Sequence, residues 1–560
     1  MVFPALQFYG HRSQVRPIVR RALLHCLHLM NARPPYWVAL ALTLFATACR
    51  KESKPTWDID VLAPLARTTL TVRDLFADSL LESDAQGNLT LVYRGTLFSV
   101  GLDTLLQAPD TSFTYKYAIP FPGPINFPAG VSILNQADLQ RFDLNDVQLR
   151  ELHLREGVLT MDLVNMVASI IHGRMELPSA QFPDGPAVLM ASVPAGSPAA
   201  PATASATKSL AGARFDLRGP QANSVNTVQT LVSAQLDPDG QGAWATDQDS
   251  LLIAVRYSGL VPEYARGFFG QRTQRFGPDT NQLGLFNNLV SGTLDLEQAN
   301  LMLRIENGFG ADLRLRLRAL TALNTRTGAS VDLQHSLLTG PLNVTRATET
   351  SNGYIASSQT RVIGMGNSNI DHFIESLPDR VAYELDLELN PLGDISNGND
   401  FVYYGSKLTA NVDLEVPLRL AANALTLQTT AAVELPGTPS GHAIRSGILR
   451  VFAENGFPLQ ATIELATVNA DGTVLTVVPV QGAVASAATD ANGVVTQRTS
   501  STLIAAVDAG TVQELYDGAR LRIRAALSTS PAGQQVRILD HYAMDLQVTL
   551  EAEYMVNGDE

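Results

Sequence analysis

Leu301-Met-Leu-Arg-Ile-Glu-Asn-Gly-Phe-Gly-Ala-Asp-Leu-Arg-Leu-Arg-Leu-Arg318 holds two runs of alternating apolar and polar residues, separated by an Asn-Gly bend. A period of two sends successive side chains to opposite faces of an extended chain, so each run reads as a half-buried strand. The same period recurs in Tyr383-Glu-Leu-Asp-Leu-Glu-Leu389, Val412-Asp-Leu-Glu-Val416 and Leu521-Arg-Ile-Arg524. Turn signals separate such runs: Asp84-Ala-Gln-Gly87, Asp239-Gly240, Asn324-Thr-Arg-Thr-Gly328, Asn469-Ala-Asp-Gly472 and Asp490-Ala-Asn-Gly493. In these turns Gly supplies positive φ, and Asn or Asp tolerates it. Two short segments read as helical, 369 to 377 and 511 to 516, the second with Thr511 and Glu514 at capping-box spacing. The expected class is mainly β, as tandem antiparallel β-sandwich domains with short helices.

Outward from that stretch the sequence repeats itself. Leu301 to Phe309 and Leu449-Arg-Val-Phe-Ala-Glu-Asn-Gly-Phe457 share the core Glu-Asn-Gly-Phe, preceded by Ser291-Gly-Thr-Leu and Ser446-Gly-Ile-Leu. A strand, a turn at Asn324 or Asn469, further strands, a short helix and a strand closing on Asn390-Pro391 or Ser530-Pro531 follow each core. The offsets drift slowly, from 148 at the Asn to 142 at the helix and 140 at the Pro. A fainter copy starts at Leu159-Thr-Met-Asp-Leu-Val-Asn165, 142 residues before Asn307. Repetition at this scale marks duplicated structural units.

This order of elements resembles the type 2 late-embryogenesis-abundant (water-stress) β-sandwich, over about 290–395 and 446–535 and in part 155–215. The resemblance implies a non-catalytic sandwich, often membrane-associated, that binds apolar or membrane ligands.

The amino terminus carries an export signal. No acidic residue precedes Glu52, whereas Arg12, Arg16, Arg20, Arg21 and Arg33 precede an apolar run from Trp37 to Ala48. Twelve residues of helix span about 18 Å, short of the roughly 30 Å bilayer core, so the run is a signal segment and not a permanent span. Ala46-Thr47-Ala48-Cys49 resembles the lipobox of bacterial lipoproteins, which implies cleavage before Cys49 and lipid attachment to its sulfur. The other reading is an ordinary secretory signal cut at Ala48, leaving Cys49 as a free thiol. Arg50 after the cysteine implies, by the sorting rule of that class, the outer membrane. Removing five arginines and no acidic residue takes the net charge from -14 to -19, which disfavours nucleic acid as a partner. The remaining cysteine, Cys26, lies in the removed segment, so neither a disulfide nor a thiolate zinc site is expected.

The expected organisation is a signal region over 1–48, with 1–29 as an over-called start or long n-region, then a tether over 49–60. A β domain over 61–190 follows, then an Ala/Pro/Ser-rich linker or insertion over 191–213. Sandwich domains over 214–400 and 401–560 complete the chain. The alternating strand Met544 to Tyr554 is followed by Asn557-Gly-Asp-Glu560, whereas an outer-membrane barrel typically ends on an aromatic residue and needs lipid-facing alternation over many strands.

Motifs for chemistry are few. Gly-x-Ser-x-Gly, a phosphate-cradling loop and His-Glu-x-x-His are absent from the sequence. His153, His172, His335, His372, His442 and His541 are scattered singly. Asp237, Asp239, Asp247 and Asp249 bracket a turn without the EF-hand order, and read as an acidic hairpin tip. Tyr403 and Tyr404, if on one strand, face opposite ways. Arg314, Arg316 and Arg318 form a basic ladder opposite an acidic one, Glu384, Asp386 and Glu388, which predicts cross-strand ion pairs.

The expectation is therefore a lipid-anchored envelope protein acting as a binding or structural module, with Cys49 as lipid-attachment site and no catalytic, cofactor or metal residues. Its partners are the membrane and a lipid, glycan or envelope-protein ligand. The alternatives are a surface hydrolase built on a carboxylate pair, and a lipid carrier with a cavity between its sheets.

Overall fold

In the computed structural model, which describes residues 56–102, 106, 108–120, 122–433, 435 and 442–557, the chain builds three β-sandwiches. It begins by giving one strand to each: β1 (Thr56–Thr71), β2 (Leu89–Gly101) and β3 (Thr111–Ala118). The first sandwich continues with β4 (Ser132–Arg141), β5 (Gln148–Asn165), β6 (Ile171–Glu176), β7 (Val188–Val193), β8 (Ala202–Ser209), β9 (Arg214–Asp216), β10 (Thr227–Leu236) and β11 (Ser250–Phe268). To the second belong β12 (Arg272–Gln282), β13 (Asn300–Asn307), β14 (Leu313–Asn324), β15 (Ala329–Asp332), β16 (Ser357–Gly364) and β17 (Arg380–Leu389). Next come β18 (Asp400–Tyr403), which returns to the first sandwich, and β19 (Lys407–Pro417). The third has β20 (Arg419–Ala432), β21 (His442–Asn455), β22 (Leu459–Val468), β23 (Val474–Val478), β24 (Thr499–Val507), β25 (Arg520–Thr529) and β26 (Ala543–Asn557).

The three share one topology. One sheet of each runs β4-β10-β6-β7, β12-β17-β14-β15 or β20-β25-β22-β23, and the other contains β3-β11-β5-β8, β2-β19-β13-β16 or β1-β26-β21-β24. The faint copy around Asn165 is thus a full structural repeat. The opening strands are nested in reverse: β3 closes the first sandwich against β11, β2 the second against β19 and β1 the third against β26.

This nesting corrects the domain expectations. Residues 61–190 are not a self-contained domain, because their strands are divided among three sandwiches. Segment 191–213 is not a linker: small residues alternate through β8, which pairs along its whole length with β5, from Ala202↔Asn165 to Ser209↔Val158. The low-charge segment is a strand of the sheet beside β5, not a flexible tether. The boundary at 400 also fails, because β18 and β19 belong to the first and second sandwiches. Of the tether, 56–60 is already strand; Cys49, the signal region and 49–55 lie outside the described residues. The Ser-Gly-x-Leu prefixes are not equivalent either. Ser291–Leu296 pairs with β20 of the third sandwich, whereas Ser446 sits inside β21.

Both helices form as expected but with shifted limits, Ile370–Glu375 and Ala509–Tyr516. The second is capped by Asp508, whose carboxylate accepts from Thr511 N at 2.8 Å. Glu514 accepts instead from Thr476 Oγ1 at 2.7 Å and from Thr467, so no capping box forms around Thr511.

Each repeat turns on one buried asparagine. Asn165, Asn307 and Asn455 end β5, β13 and β21, and all are fully buried. In each, Oδ1 accepts from the backbone N–H two residues on, at 2.8, 2.9 and 2.8 Å. Nδ2 donates to one carbonyl in the bend and to one far along the chain, that of Pro194, Thr345 or Ala485, at 2.7, 2.9 and 2.8 Å. A carboxamide is the smallest side chain offering both donors and an acceptor, so it satisfies three backbone groups in a site without water.

The inner faces are packed by aliphatic side chains in one continuous core. Gly173 of β6 lies directly under Leu163 of β5, where an added Cβ would sit 2.4 Å from Cδ2. The apolar space between the sheets of the second sandwich is about 40 Å³, beside Leu301, Leu320 and Phe373, and that in the first is about 20 Å³.

The charge ladders meet on β14 and β17. Arg314 faces Glu388, with Nε donating at 2.8 Å. A bulge between Leu317 and Ala319 shifts the register, so Arg318 donates through Nε to Asp386 at 2.6 Å, and Glu384 is taken by Arg275 of β12. The Arg318 guanidinium holds the Asp386 carboxyl below its usual range.

Two measurements check this account. Asn455→Ala strands three buried backbone groups and is expected to cost about 2–4 kcal/mol, read in chemical denaturation of the third sandwich. A double-mutant cycle of Arg314→Ala and Glu388→Ala is expected to give a coupling of about 0.2–1 kcal/mol that shrinks with salt.

Candidate functional site

The repeats differ between β8 and β10 in the first sandwich, β16 and β17 in the second, and β24 and β25 in the third. In the second and third sandwiches this stretch is a helix that buries Ile370, Phe373 and Ile374, or Val512 and Leu515. In the first it is Arg214-Phe-Asp-Leu-Arg218, with Phe215 and Leu217 buried and the charged residues outward. Period-two alternation cannot form an amphipathic helix, so the segment becomes β9 and extends the sheet beside β5.

Two rungs of outward side chains cross the enlarged sheet. One runs Arg214↔His153↔Tyr264↔Tyr403, the other Asp216↔Glu151↔Arg266↔Phe401. The hairpin of Thr348–Thr350 and Gly353–Ile355 covers the β11–β18 end. Its Glu349 accepts from Tyr264 Oη at 2.8 Å and Tyr403 Oη at 3.4 Å and pairs with Arg266, while Tyr354 stacks on Tyr403 with centroids 5.4 Å apart. Burial, helped by Glu349, pushes the Tyr264 hydroxyl well above the phenol range, so it remains a donor. Arg266 Nε in turn donates to Tyr264 Oη at 2.8 Å.

The β5–β9 end is uncovered and forms a groove of about 400 Å³. Four guanidinium groups line it, Arg150, Arg214, Arg218 and Arg266, against two carboxylates, Glu151 and Asp216. Arg150 is the extra residue of a bulge, since Arg266 faces Glu151 and Gly267 faces Leu149. Such a bulge re-aims a side chain. The guanidinium rests on Gly398, at φ +68°, where a Cβ would lie 2.5 Å from Arg150 Cζ. Glycine there leaves the space the guanidinium occupies.

Arg218 clamps Asp216 through Nε at 2.9 Å and Nη2 at 2.7 Å, holding that carboxyl below its usual range. Glu151 shares a 2.8 Å hydrogen bond with His153 Nε2. Among the described residues, neither Arg150 nor Arg214 has an ion-pair or hydrogen-bond partner for its guanidinium. Ser179, Gln181 and Asn399 add neutral polar groups to the rim.

The residues singled out in the sequence fall elsewhere, or into structural roles. Cys49 lies outside the described residues. Asp237 and Asp249 accept from backbone N–H groups of their own turns, at Asp239 and Thr246. Among the described residues no group of three or more His, Cys, Asp or Glu is placed to hold a metal ion. His172 bonds Ser192, His335 caps a short 3₁₀ turn, His372 contacts Glu375, and His541 contacts Asp540. Tyr403 and Tyr404 do face apart: the first joins the covered aromatic cluster, and the second lies under Arg155, 4.5 Å from its ring centroid. The groove arginines were missed because Arg150, Arg266 and the Arg214–Arg218 pair come from three separate segments of the chain. The alternation of Arg214 to Arg218 was the one local signal for them.

The covering hairpin should depend on a single carboxylate. Glu349→Ala is expected to speed amide exchange over 348–355 by about tenfold or more, with the sandwich cores unchanged, as read by hydrogen–deuterium exchange mass spectrometry.

No family model matches the chain, and no curated protein matches it. Solved structures that match include one described as a "putative secreted protein from Parabacteroides distasonis ATCC 8503". It is 14% identical, with a TM-score of 0.16, over 65% of this chain and 99% of that one.

Proposed function

We propose that this protein is an exported lipoprotein, anchored in the outer membrane by acyl chains on Cys49, that acts as a non-catalytic binding or structural module of the cell envelope. The supporting sequence features are the arginine-rich leader, the short apolar run and Ala46-Thr47-Ala48-Cys49. Several acyl chains on one residue give the stable attachment that a single chain does not. The order of elements read in the sequence resembles that of the type 2 late-embryogenesis-abundant sandwich, and membership in that family is part of the proposal.

The observation that carries the binding reading is where the space lies. The apolar spaces of about 40 and 20 Å³ between the sheets are far below the roughly 150 Å³ that admits even benzene. The polar groove of about 400 Å³ is on an outer sheet face and falls in the range of about 300–1,000 Å³ of small-molecule sites. This argues against a lipid carried between the sheets of the first or second sandwich. It also bears on the hydrolase alternative, because the groove does contain neighbouring carboxylates, Glu151 and Asp216. A glycosidase needs one carboxyl with a raised pKa as proton donor. Arg218 shifts Asp216 the other way, so Asp216 is not that donor.

The anchor is tested by fractionating cells that express the chain with Cys49→Ser. The variant is expected in the soluble periplasmic fraction and the parent in the membrane. Membrane retention of the variant equal to that of the parent would overturn the anchor.

A further inference from the structure

We infer that the groove on the first sandwich binds an acidic sugar, one whose carboxylate or phosphate is received by Arg150 and Arg214. This rests on reading the protein as a binding module, and adds the chemical class of its ligand.

The argument starts from charge. The chain as a whole is strongly acidic, yet the lining of this groove carries two more guanidinium groups than carboxylates. Folding has concentrated positive charge in a concave site against the sign of the whole molecule, which focuses the local field on an anion. The four groups are not equivalent. Arg218 is committed to Asp216, and Arg266 to Glu349 and Tyr264. Arg150 and Arg214 keep their planar forks of N–H donors free, the geometry that receives carboxylate or phosphate oxygens in pairs.

Arg150 is also pre-positioned. A bulge turns it toward the groove, and Gly398 gives its guanidinium a seat that any other residue would fill. Ordering that long side chain before the ligand arrives removes part of the entropy cost of binding. The free forks cannot be reached by Glu349, which is occupied at the far end of the rung by Tyr264, Tyr403 and Arg266.

The rest of the lining selects for hydroxyl groups beside the anion. Glu151 and Asp216 accept, Gln181 and Asn399 donate and accept, and Ser179 does both. Carboxylates next to arginines would repel a bare polyanion but accept from the hydroxyls of a sugar that bears one anionic group. The volume of about 400 Å³ suits a compact polar ligand.

The test is calorimetric titration of the full chain carrying Cys49→Ser, using galacturonate, glucose 6-phosphate, inorganic phosphate and glucose. Galacturonate or glucose 6-phosphate is expected to bind with Kd below about 1 mM and to weaken with salt, while glucose gives no heat. Which of the two binds tells a carboxylate from a phosphate source. Arg214→Gln, at an exposed strand position, and Arg150→Gln are each expected to weaken binding about tenfold or more at an unchanged thermal midpoint. The inference is overturned if neither acidic sugar binds, if inorganic phosphate binds as tightly as glucose 6-phosphate, or if Arg214→Gln leaves affinity unchanged. Incubation with oligogalacturonate separates the two readings. Release of reducing ends would end the non-catalytic reading and leave the ligand class standing, whereas variant-insensitive titrations would end the groove and leave the anchor standing.

Discussion

A carboxamide at the end of the first strand of each repeat is the constraint on which this architecture depends. The chain must leave one sheet at Asn165, Asn307 and Asn455 and start the opposing one within a few residues, in a place where water cannot reach its backbone. Backbone groups stranded there cost more than most side-chain contacts return. By tying the bend to a carbonyl from a distant loop, the asparagine couples a local turn to the closure of the whole sandwich. Aliphatic packing then supplies most of the stability, but it supplies it to a topology the three carboxamides have already selected.

The repeat explains both what was legible in the sequence and what was not. Strands such as Leu313 to Arg318 are readable because alternation is local, and the pairing of the basic ladder with the acidic one followed from it. The register beyond Leu317 did not, since a bulge depends on how two strands twist together. Nor did the partner of β1, β2 or β3, because nothing within a strand states which distant edge it will complete. Segment 191–213 misled for a related reason. Ala, Ser and Thr look like a flexible spacer, yet they also form a strand that pairs beside β5, with Ser205 opposite Asp162 and Thr203 opposite Val164.

The groove illustrates how a repeated scaffold acquires a distinctive surface. The three sandwiches agree in strand order, and they differ where two retain a short helix and the first substitutes Arg214 to Arg218. Replacing a helix by a strand widens the sheet by one position and leaves its outer face bare. Phe215 and Leu217 are buried in the core, as the apolar side chains of the two helices are. The charged residues of the new strand then meet those of β5 and β11 on a rigid support, which loops alone would not provide.

The reverse nesting of the opening strands also sets an order of events during synthesis. Thr69 Oγ1 hydrogen-bonds Asp545 across 476 residues, so β1 emerges long before the strand it will pair with. The innermost unit is completed first and the outermost last, each waiting with an open edge. Such long-range closure is intrinsically slow and leaves sticky strand edges exposed meanwhile. A truncated or stalled chain would therefore lose its outermost unit and present two unmatched β-edges, making it a natural client for holding chaperones and quality-control proteases.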